Sequence, residues 1–421
     1  MEIKSLSEVA VIDISGVDKK AKENEHEIKL CNFTDVYYNW AVSRDNLDSF
    51  MIATANKNEI ERFLLKKGSV AITKDSETRD DIGIACYIAD DLDNTLLGYH
   101  CALIVPKKGI LDGKYLNAYL HTKMARNYFS NQASGSGQRY TLTIGGIGAV
   151  KIPIISYDDQ IKIGKFFSKI DSKIANNNKI NAELESMAKT LYDYWFLQFE
   201  FPNEEGKPYK SSGGQMVWNE ELKREIPEGW AVENLMEASL CKDIKAGVDY
   251  FDTKNYLPTA NIDGESIIDG EDITYDSREN RANMQPVKYS VWFAKMKNSI
   301  KHLTIPNNSD WFIHKYILST GFQGLKCNAD SLSLVHCIIN SSWFENYKDV
   351  LSHGATQEGV NNDDLKNIKF AVPTNGVLKN FSKKVLPILE KKFTLIRENQ
   401  ELTSLREFLL PLLMNGQVTY R

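Results

Sequence analysis

The residues best suited to chemistry in this sequence are two His-Cys pairs and a cluster of glycines. His100–Cys101 and His336–Cys337 each place an imidazole beside a thiol, the groups that a nucleophilic cysteine or a metal site uses. The glycines "GGIG" at 145–148 are loosely similar to a dinucleotide-binding loop. Each kind of chemistry needs particular neighbouring elements, so the predicted elements decide whether the chemistry is possible.

The two His-Cys pairs lack the geometry of a catalytic site. Their segments, "GYHCALIV" (98–105) and "LVHCIIN" (334–340), are short and apolar, which predicts strands. Adjacent residues on a strand point to opposite faces, so the thiol and the imidazole cannot converge on one atom. The pattern favours a buried cysteine with its histidine on the other face, because cysteine prefers burial.

The glycine cluster also fails as a nucleotide site. A dinucleotide loop follows a strand and opens a helix, whereas Val150 to Ile155 is predicted to be a strand interrupted by Pro153. The sequence contains neither GxxxxGK[ST] nor Asn-Pro-Pro-aromatic, so it predicts neither a P-loop ATPase nor a chain that methylates adenine alone. The acidic runs 74–81 and 90–93 fit no metal-site spacing and are predicted to be solvated loops, or else recognition loops that accept from cytosine or bind adenine.

Composition predicts a multidomain chain with selected basic surfaces. A length of 421 residues favours two or three domains. Six cysteines without a CxxC pair argue against a zinc ribbon or disulfide scaffold, and no signal peptide or membrane helix is predicted, so we expect a cytoplasmic chain. The net charge is −5, yet the windows 113–157 and 280–309 contain basic residues and no acids. These windows suit contact with a polyanion, although chance clustering on solvated faces is the alternative.

The second half of the sequence repeats the first at an offset of roughly 220 residues. "SVAITK" (69–74) corresponds to "SVWFAK" (290–295), and "SGSGQ" (134–138) corresponds to "SHGATQ" (352–357). A strand ending in proline follows in both halves, and then comes a long helical pattern of apolar residues. Each half therefore predicts a mixed α/β globular part followed by one long helix.

The long helices, at about 158–196 and 378–414, determine the predicted architecture. A helix of about 40 residues is about 60 Å long, and its apolar stripe has to be covered. The simplest arrangement is an antiparallel coiled coil, which separates two α/β (α+β) globular parts with pseudo-twofold symmetry. The predicted boundaries are a first globular domain at 1–155, a helix at 156–199, an irregular linker at 200–230, a second globular domain at 231–375, and a helix with its tail at 376–421.

Two segments carry a resemblance to a known family. They are the linker "LYDYWFLQFEFPNEEGKPYKSSGGQMVWNEELKREIPEGW" (191–230) and the closing "LLPLLMNGQV" (409–418). Together with the duplicated layout, which covers the whole chain, they resemble the specificity subunit of type I restriction–modification systems. The linker is the most specific part of the match, and the globular parts are the least.

The resemblance implies a DNA-binding subunit that catalyses no reaction. Each globular part would be a target recognition domain that reads one half of a split, asymmetric site in double-stranded DNA. The long helices would dock two copies of a methyltransferase subunit, which uses S-adenosylmethionine, while this chain holds no cofactor or metal. A motor and nuclease subunit would join for restriction, and no membrane is involved. The residues assigned to partner binding are Leu184, Leu191, Tyr194, Trp195, Phe196, Leu405, Leu409 and Leu412.

Candidate DNA contacts come from the two acid-free windows and the loops beside them. They are Lys74, Arg79, Gln138, Arg139 and Tyr140 in the first half, and Lys295, Lys297, Lys301, Lys326 and Gln357 in the second. We expect the lysines to contact phosphates, and Arg139, Gln138 and Gln357 to reach base edges, with Arg matched to guanine and Gln to adenine. For each residue the alternative is an ordinary surface residue or turn cap.

Two other functions remain open from the sequence. One is a stand-alone nuclease or methyltransferase fused to its own reader, against which the missing catalytic motifs argue. The other is an interaction scaffold whose globular parts bind no DNA.

Overall fold

A computed structural model of the chain describes residues 2–136, 139–263, 266–354 and 358–414. The chain divides into two compact units, residues 1–175 with 401–421 (unit 1) and residues 176–400 (unit 2). Two of the predicted base-reading residues, Gln138 and Gln357, lie outside the described residues.

Unit 1 contains a mixed sheet with helices packed against it. Its strands are β1 (Glu2–Ser5), β2 (Ala10–Ile14), β3 (His26–Cys31), β4 (Ala41–Val42), β5 (Met51–Ala55), β6 (Val70–Thr73), β7 (Asp75–Ser76), β8 (Ala85–Ile88), β9 (Thr95–Leu97), β10 (Cys101–Pro106), β11 (Ser134–Ser136), β12 (Arg139–Thr141) and β13 (Lys151–Ile154). Its helices are α1 (Leu6–Val9), α2 (Phe33–Tyr37), α3 (Lys57–Phe63), α4 (Gly113–Leu120), α5 (Lys123–Gln132), α6 (Ile144–Gly148) and the first half of α7 (Tyr157–Tyr192).

The central sheet of unit 1 has the order β2-β10-β6-β8-β4, and all residues of β6 and β8 are buried. The sequence predicts one amphipathic helix over 113–129, whereas the structure has the two helices α4 and α5. The reason is local, because the Thr122 side chain accepts a hydrogen bond from Ala125 N (3.2 Å) and starts a new helix there. The glycines at 145–148 form the short helix α6, and the predicted strand after them is confirmed as β13.

Unit 2 has several small sheets. Its strands are β14 (Met216–Asn219), β15 (Arg224–Pro227), β16 (Ala231–Asn234), β17 (Lys242–Asp243), β18 (Lys254–Leu257), β19 (Ile262–Asp263), β20 (Ser266–Ile267), β21 (Asp272–Ile273), β22 (Ala282–Met284), β23 (Ser290–Ala294), β24 (His302–Ile305), β25 (Tyr316–Ser319), β26 (Phe322–Lys326) and β27 (Lys369–Val372). Its helices are the end of α7, then α8 (Asp310–Lys315), α9 (Leu332–Ile339), α10 (Ser342–Leu351), α11 (Asn362–Leu365) and most of α12 (Asn375–Met414).

One predicted strand of unit 2 is wrong. The segment that contains His336–Cys337 is the helix α9, and all eight of its residues are buried. A short segment that is apolar on every side has no face to distinguish, so periodicity cannot separate a buried strand from a buried helix.

The sequence repeat is visible in the strand pairing. In unit 1, β1 pairs antiparallel with β13, the strand that precedes α7, with Ile3 opposite Pro153. In unit 2, β16 pairs antiparallel with β27, the strand that precedes α12, with Val232 opposite Ala371. Each globular part is therefore closed by its own first and last strands.

The two long helices run antiparallel where they meet. In unit 2, Asn177 Nδ2 lies 2.9 Å from Asn399 Oδ1, Glu185 pairs with Lys392, and the ring of Trp195 lies 5.5 Å from that of Phe381. In unit 1, buried Phe167 of α7 shares a core with Leu410 and Leu413 of α12. Residue numbers rise along α7 as they fall along α12, so the predicted mixed α/β class with an antiparallel pair of long helices is confirmed.

The linker is more ordered than the sequence predicts. Its Pro and Gly content indicated an irregular segment, but residues 216–227 form the hairpin β14–β15. The rings of Phe199 and Phe201 pack on Trp230 at 5.6 and 5.4 Å, and Phe201 stacks on Tyr209 at 4.6 Å. The turns that Pro and Gly mark lie within a folded segment, because its aromatic residues bury their apolar surface.

Candidate nucleic-acid interface

A three-stranded sheet of unit 1, in the order β11-β12-β7, positions the predicted DNA contacts of the first half. The central strand β12 carries Arg139 and Tyr140, and Thr141 pairs with Asp75 of β7. On the other side Gly135 has φ +144°, and a Cβ there would lie 2.1 Å from the carbonyl oxygen of Arg139. This glycine therefore allows the backbones of β11 and β12 to approach closely.

The side chains around this sheet converge on Asp75. Its Oδ2 lies 2.7 Å from Lys74 Nζ, 2.8 Å from His100 Nδ1 and 2.9 Å from Arg139 Nη2. The carboxylate is buried, with 7% of its side chain exposed, while 57% of the Arg139 side chain is exposed. Burial alone would raise the pKa of Asp75, but hydrogen bonds from Lys74, His100, Thr141 and Arg139 outweigh it and hold the pKa well below its usual range.

We call Lys74, Asp75, His100 and Arg139 the Asp75 cluster. One carboxylate faces a lysine and an arginine, so the cluster is positively charged even with a neutral His100. Nδ1 of His100 also lies 2.7 Å from Arg139 Nη2, so the tautomer decides whether it donates to Asp75 or accepts from Arg139. The interpretation of residues 74–81 as solvated is wrong for Asp75, which is buried because β7 pairs with β12.

Arg79 follows strand β7 of this small sheet, and Tyr140 lies on its strand β12. Because Tyr140 follows Arg139 on β12, it points to the opposite face, where it packs against the core of unit 1. The guanidinium of exposed Arg79 lies 5.5 Å from the ring centroid of Tyr140, a cation–π contact. The turn that carries Arg79 is fixed by Arg126, whose Nη1 and Nη2 donate to the carbonyls of Ile82 (2.8 Å) and Asp80 (3.1 Å). The structure thus places the four described candidates of the first half at one small sheet as two pairs, Lys74 with Arg139 at Asp75 and Arg79 with Tyr140.

The candidate lysines of the second half are held by their own chain. Lys297 pairs with Glu358 at 2.7 Å, and Lys301 donates to the carbonyl of Ile262. Lys326 donates to the carbonyl of Lys288, its Nζ lies 5.8 Å from the ring of Tyr289, and burial lowers its pKa.

Lys295 is the candidate at the end of strand β23, and it is half-buried. Burial lowers its pKa, and the charge of Asp243 partly opposes that shift. Asp243 Oδ1 accepts from Gln323 Nε2 at 2.5 Å, and its Oδ2 accepts from Asn362 Nδ2 at 3.1 Å. In each unit, therefore, a largely buried carboxylate lies beside predicted DNA contacts.

A buried ion cluster supports the loop that carries Lys295 and Lys297, and sequence reasoning missed it. Lys348 is fully buried, and its Nζ donates to Glu345 (2.7 Å) and to the carbonyls of Ala294 (3.3 Å) and Ser299 (3.1 Å). His302 Nε2 lies 2.7 Å from the same Glu345 carboxylate. Burial would raise the pKa of Glu345, but hydrogen bonds from His302 and Lys348 lower it overall. The i,i+3 spacing of Glu345 and Lys348 is the only sequence signal, and it is typical of exposed pairs as well.

The residues assigned to partner binding differ in how much of each side chain is available. Trp195 and Phe196 are buried in the core of unit 2, where both contact Phe381. Leu184, Leu191, Leu409 and Leu412 are partly buried. Tyr194 and Leu405 are exposed, as are their neighbours on the long helices Met187 and Phe408. Partner binding stays a prediction, and the exposed members are the ones to test.

The His-Cys pairs serve packing in both units. All six cysteines are free and buried. The His100 side chain contacts Asp75, whereas Cys101 lies in the core, so the two point to opposite faces as the strand geometry predicts. On α9, His336 Nδ1 lies 2.7 Å from Thr304 Oγ1 and Cys337 donates to the carbonyl of Ala188 (4.0 Å). Burial raises the pKa of both thiols, which makes them poor nucleophiles.

Comparison with known proteins shows which family the chain is similar to. The family model described as the type I restriction modification DNA specificity domain matches residues 1–186, which include the Asp75 cluster. The chain is 25% identical over 401 residues to the type I restriction enzyme MjaIX specificity subunit of Methanocaldococcus jannaschii, covering 90% of this chain and 86% of that protein. The chain is therefore similar to type I restriction–modification specificity subunits along most of its length, and the match to their DNA specificity domain covers residues 1–186.

Two further comparisons concern the sequence and the fold. The chain is 23% identical over 408 residues to the type I restriction enzyme HindI specificity subunit of Haemophilus influenzae, covering 84% of this chain and 87% of that one. The crystal structure of a type I restriction-modification S subunit from M. genitalium has the same fold, with a TM-score of 0.53, 14% identity, and coverage of 98% and 95% of the two chains. The resemblance stated from the linker and the closing motif is confirmed.

Two negative observations concern the described residues alone. Within them, no group of three or more His, Cys, Asp or Glu residues is placed to hold a metal ion. None of the helices in the same ranges combines the length and the apolar composition needed to cross a membrane.

Proposed function

We propose that this chain is a specificity subunit that reads a bipartite, asymmetric site in double-stranded DNA and catalyses no reaction itself. Unit 1 and unit 2 each read one half of the site. The observation that carries the proposal is the exposed edge of the Asp75 cluster, where Lys74 and Arg139 meet at one carboxylate, with the exposed Arg79 held over Tyr140 of the same small sheet. Such a surface suits phosphates and base edges together.

The catalytic steps belong to partner subunits in this proposal. Two copies of a methyltransferase subunit, each with S-adenosylmethionine, dock on the long helices, and a motor and nuclease subunit joins them for restriction. The exposed apolar side chains of Met187, Tyr194, Leu405 and Phe408 supply surface for docking, because large apolar residues exposed on a helix favour contact with a partner. This chain holds no cofactor.

A footprint of the assembled complex tests the proposal. The chain, purified with the methyltransferase subunit of its own system, is expected to protect two short DNA tracts separated by a stretch whose sequence does not matter. Reversing Lys295 and Lys297 to Glu should weaken binding and reduce its salt dependence, since phosphate contacts release counterions. Reversing Lys19 and Lys20, which are exposed outside the basic windows, is the matched control.

Two results would contradict the proposal. A continuous or sequence-indifferent footprint would exclude a reader of two half-sites. Turnover by this chain alone, with S-adenosylmethionine or with a divalent metal, would show that it carries catalysis itself.

A further inference from the structure

Arg139 is the one exposed member of the Asp75 cluster, and its guanidinium is anchored at one end only. Nη2 lies 2.9 Å from Asp75 Oδ2, and within the described part of the chain Nε and Nη1 of Arg139 form no hydrogen bond. A guanidinium has five N–H donors, so several remain after the contact with Asp75. Guanine presents two acceptors in the major groove, N7 and O6, and the remaining donors are enough to engage both.

The backbone of Arg139 is held as firmly as its side chain. Its strand β12 pairs with β11 on one side and with β7 on the other. Ser136 lies opposite Arg139, and the pair Thr141–Asp75 links β12 directly to the residue that holds the guanidinium. Strand pairing and ion pair therefore fix Arg139 from two directions.

Anchoring matters because an exposed arginine otherwise samples many rotamers. Ordering such a side chain on binding opposes association, and a partner that orders it beforehand removes that cost. Lys74 and His100 hold Asp75 in turn, at 2.7 and 2.8 Å from the same oxygen. The buried carboxylate is thus fixed before DNA arrives.

We infer that Asp75 is the positioning residue that holds Arg139 for a guanine, so that a G·C pair is a fixed element of the half-site read by unit 1. Lys74 and His100 orient Asp75 and do not contact the bases. This inference rests on the proposed DNA-reading function. It adds to that function a residue, Asp75, and the base pair that the residue helps to select.

The test measures base preference with the intact complex of this chain and its methyltransferase subunit. A DNA pool randomised across both half-sites defines the preferred site, and competition with single-base variants then gives the discrimination at each position. For the wild type we expect one G·C position in the unit 1 half-site to be discriminated by about 5- to 150-fold. Arg139→Lys keeps the charge but loses the planar pair of donors, so it should weaken that preference and leave the other positions unchanged.

Asp75→Asn tests whether Asp75 positions Arg139, because the variant removes the negative charge and keeps the size of the side chain. It should reduce discrimination at the same G·C position about tenfold and leave the unit 2 half-site unchanged, and Asp75→Glu should restore part of the preference. Asp13→Asn is the matched control, since it breaks an Arg–carboxylate pair with Arg62 elsewhere in unit 1 and should change no base preference. Arg139→Lys leaves the buried carboxylate in place and tests the guanine contact, whereas Asp75→Glu keeps the negative charge and tests the positioning role even if Asp75→Asn fails to fold.

Different results would contradict the proposed function and the role of Asp75. A wild-type complex without a bipartite site would overturn the proposed function. A complex that selects a bipartite site, but whose preferences are the same in wild type, Arg139→Lys and Asp75→Asn, would overturn only the role of Asp75. Loss of affinity spread evenly over all positions, with no change in discrimination, would also overturn it, because it would make the cluster a phosphate contact.

Discussion

Removing the buried Lys348 should destabilise unit 2 strongly. Lys348 is fully buried and neutralises Glu345, so Lys348→Met leaves that carboxylate with His302 as its remaining side-chain partner from this cluster. Breaking a buried pair at one end costs about 3–5 kcal/mol. Because His302 Nε2 stays 2.7 Å from Glu345, we expect the lower end of that range, about 3 kcal/mol. For a unit of this size the loss corresponds to about 6–12 °C in Tm.

Urea unfolding at several pH values measures both the size and the sign of this effect. In the wild type the pKa of Glu345 is lowered, so its contribution to stability is present above the unfolded pKa and is lost as the pH falls through the folded pKa. In Lys348→Met, burial should raise the pKa of Glu345, so stability should increase as the pH falls from 7 towards 5. The opposite dependence of stability on pH distinguishes an unpaired buried carboxylate from a simple packing defect.

Two further variants control this experiment. Lys366→Met removes an exposed i,i+3 partner of Asp363 and should leave the free energy of unfolding almost unchanged, because exposed pairs contribute little. The double variant Lys348→Met with Glu345→Leu should recover about half or more of the loss, because no buried charge remains. A double variant as unstable as the single one would refute the electrostatic explanation. The single variant should also weaken DNA binding, since Lys348 holds the carbonyls of Ala294 and Ser299 on either side of the candidate loop.

Three other outcomes are expected. Burial raises the pKa of Asp171 to about 6, although the charge of Arg406 opposes that shift. Wild-type stability should therefore fall as the pH rises from about 4 to 6. In urea titrations, Asp171→Asn should remove this pH dependence and raise the free energy of unfolding at pH 7 by about 1–3 kcal/mol. Gly135→Ala should cost about 1–3 kcal/mol in thermal melts and weaken DNA binding, whereas an unchanged variant would mean that β11 moves freely away from β12. Phe408→Glu should prevent copurification with the methyltransferase subunit at an unchanged Tm, while Val350→Glu, equally exposed on α10, should leave the complex intact.

The elements that the sequence predicts correctly are those with a distinctive local pattern. The strands β6 and β23 lie in short apolar runs between polar residues, and the two long helices have apolar residues at helical spacing over many turns. The helix α9 was missed because it is apolar on every side, and the break between α4 and α5 depends on one capping threonine. Local chemistry of this kind is too subtle for a periodicity argument.

The sequence predicts the cations of the candidate site but not the carboxylate of Asp75, which they surround. Arg139 stands out as a cation in an acid-free window, Lys74 begins the acidic run 74–81, and the structure places both against Asp75. Asp75 itself is one of several acids in a polar run, and nothing local distinguishes it from the others. Its burial follows from the pairing of β7 with β12, and that pairing joins residues far apart in the chain.

The polar contacts between the two long helices limit where this chain can accept inserted residues. Asn177 of α7 donates to both Glu398 and Asn399 of α12, and Glu185 pairs with Lys392 further along the same helices. Inserting a helical turn before Asn177 leaves both contacts in place. The same insertion between Asn177 and Glu185 preserves only one of them, unless α12 lengthens by the same amount at the corresponding point. Insertions that the chain accepts within this segment should therefore occur in pairs, one in each helix.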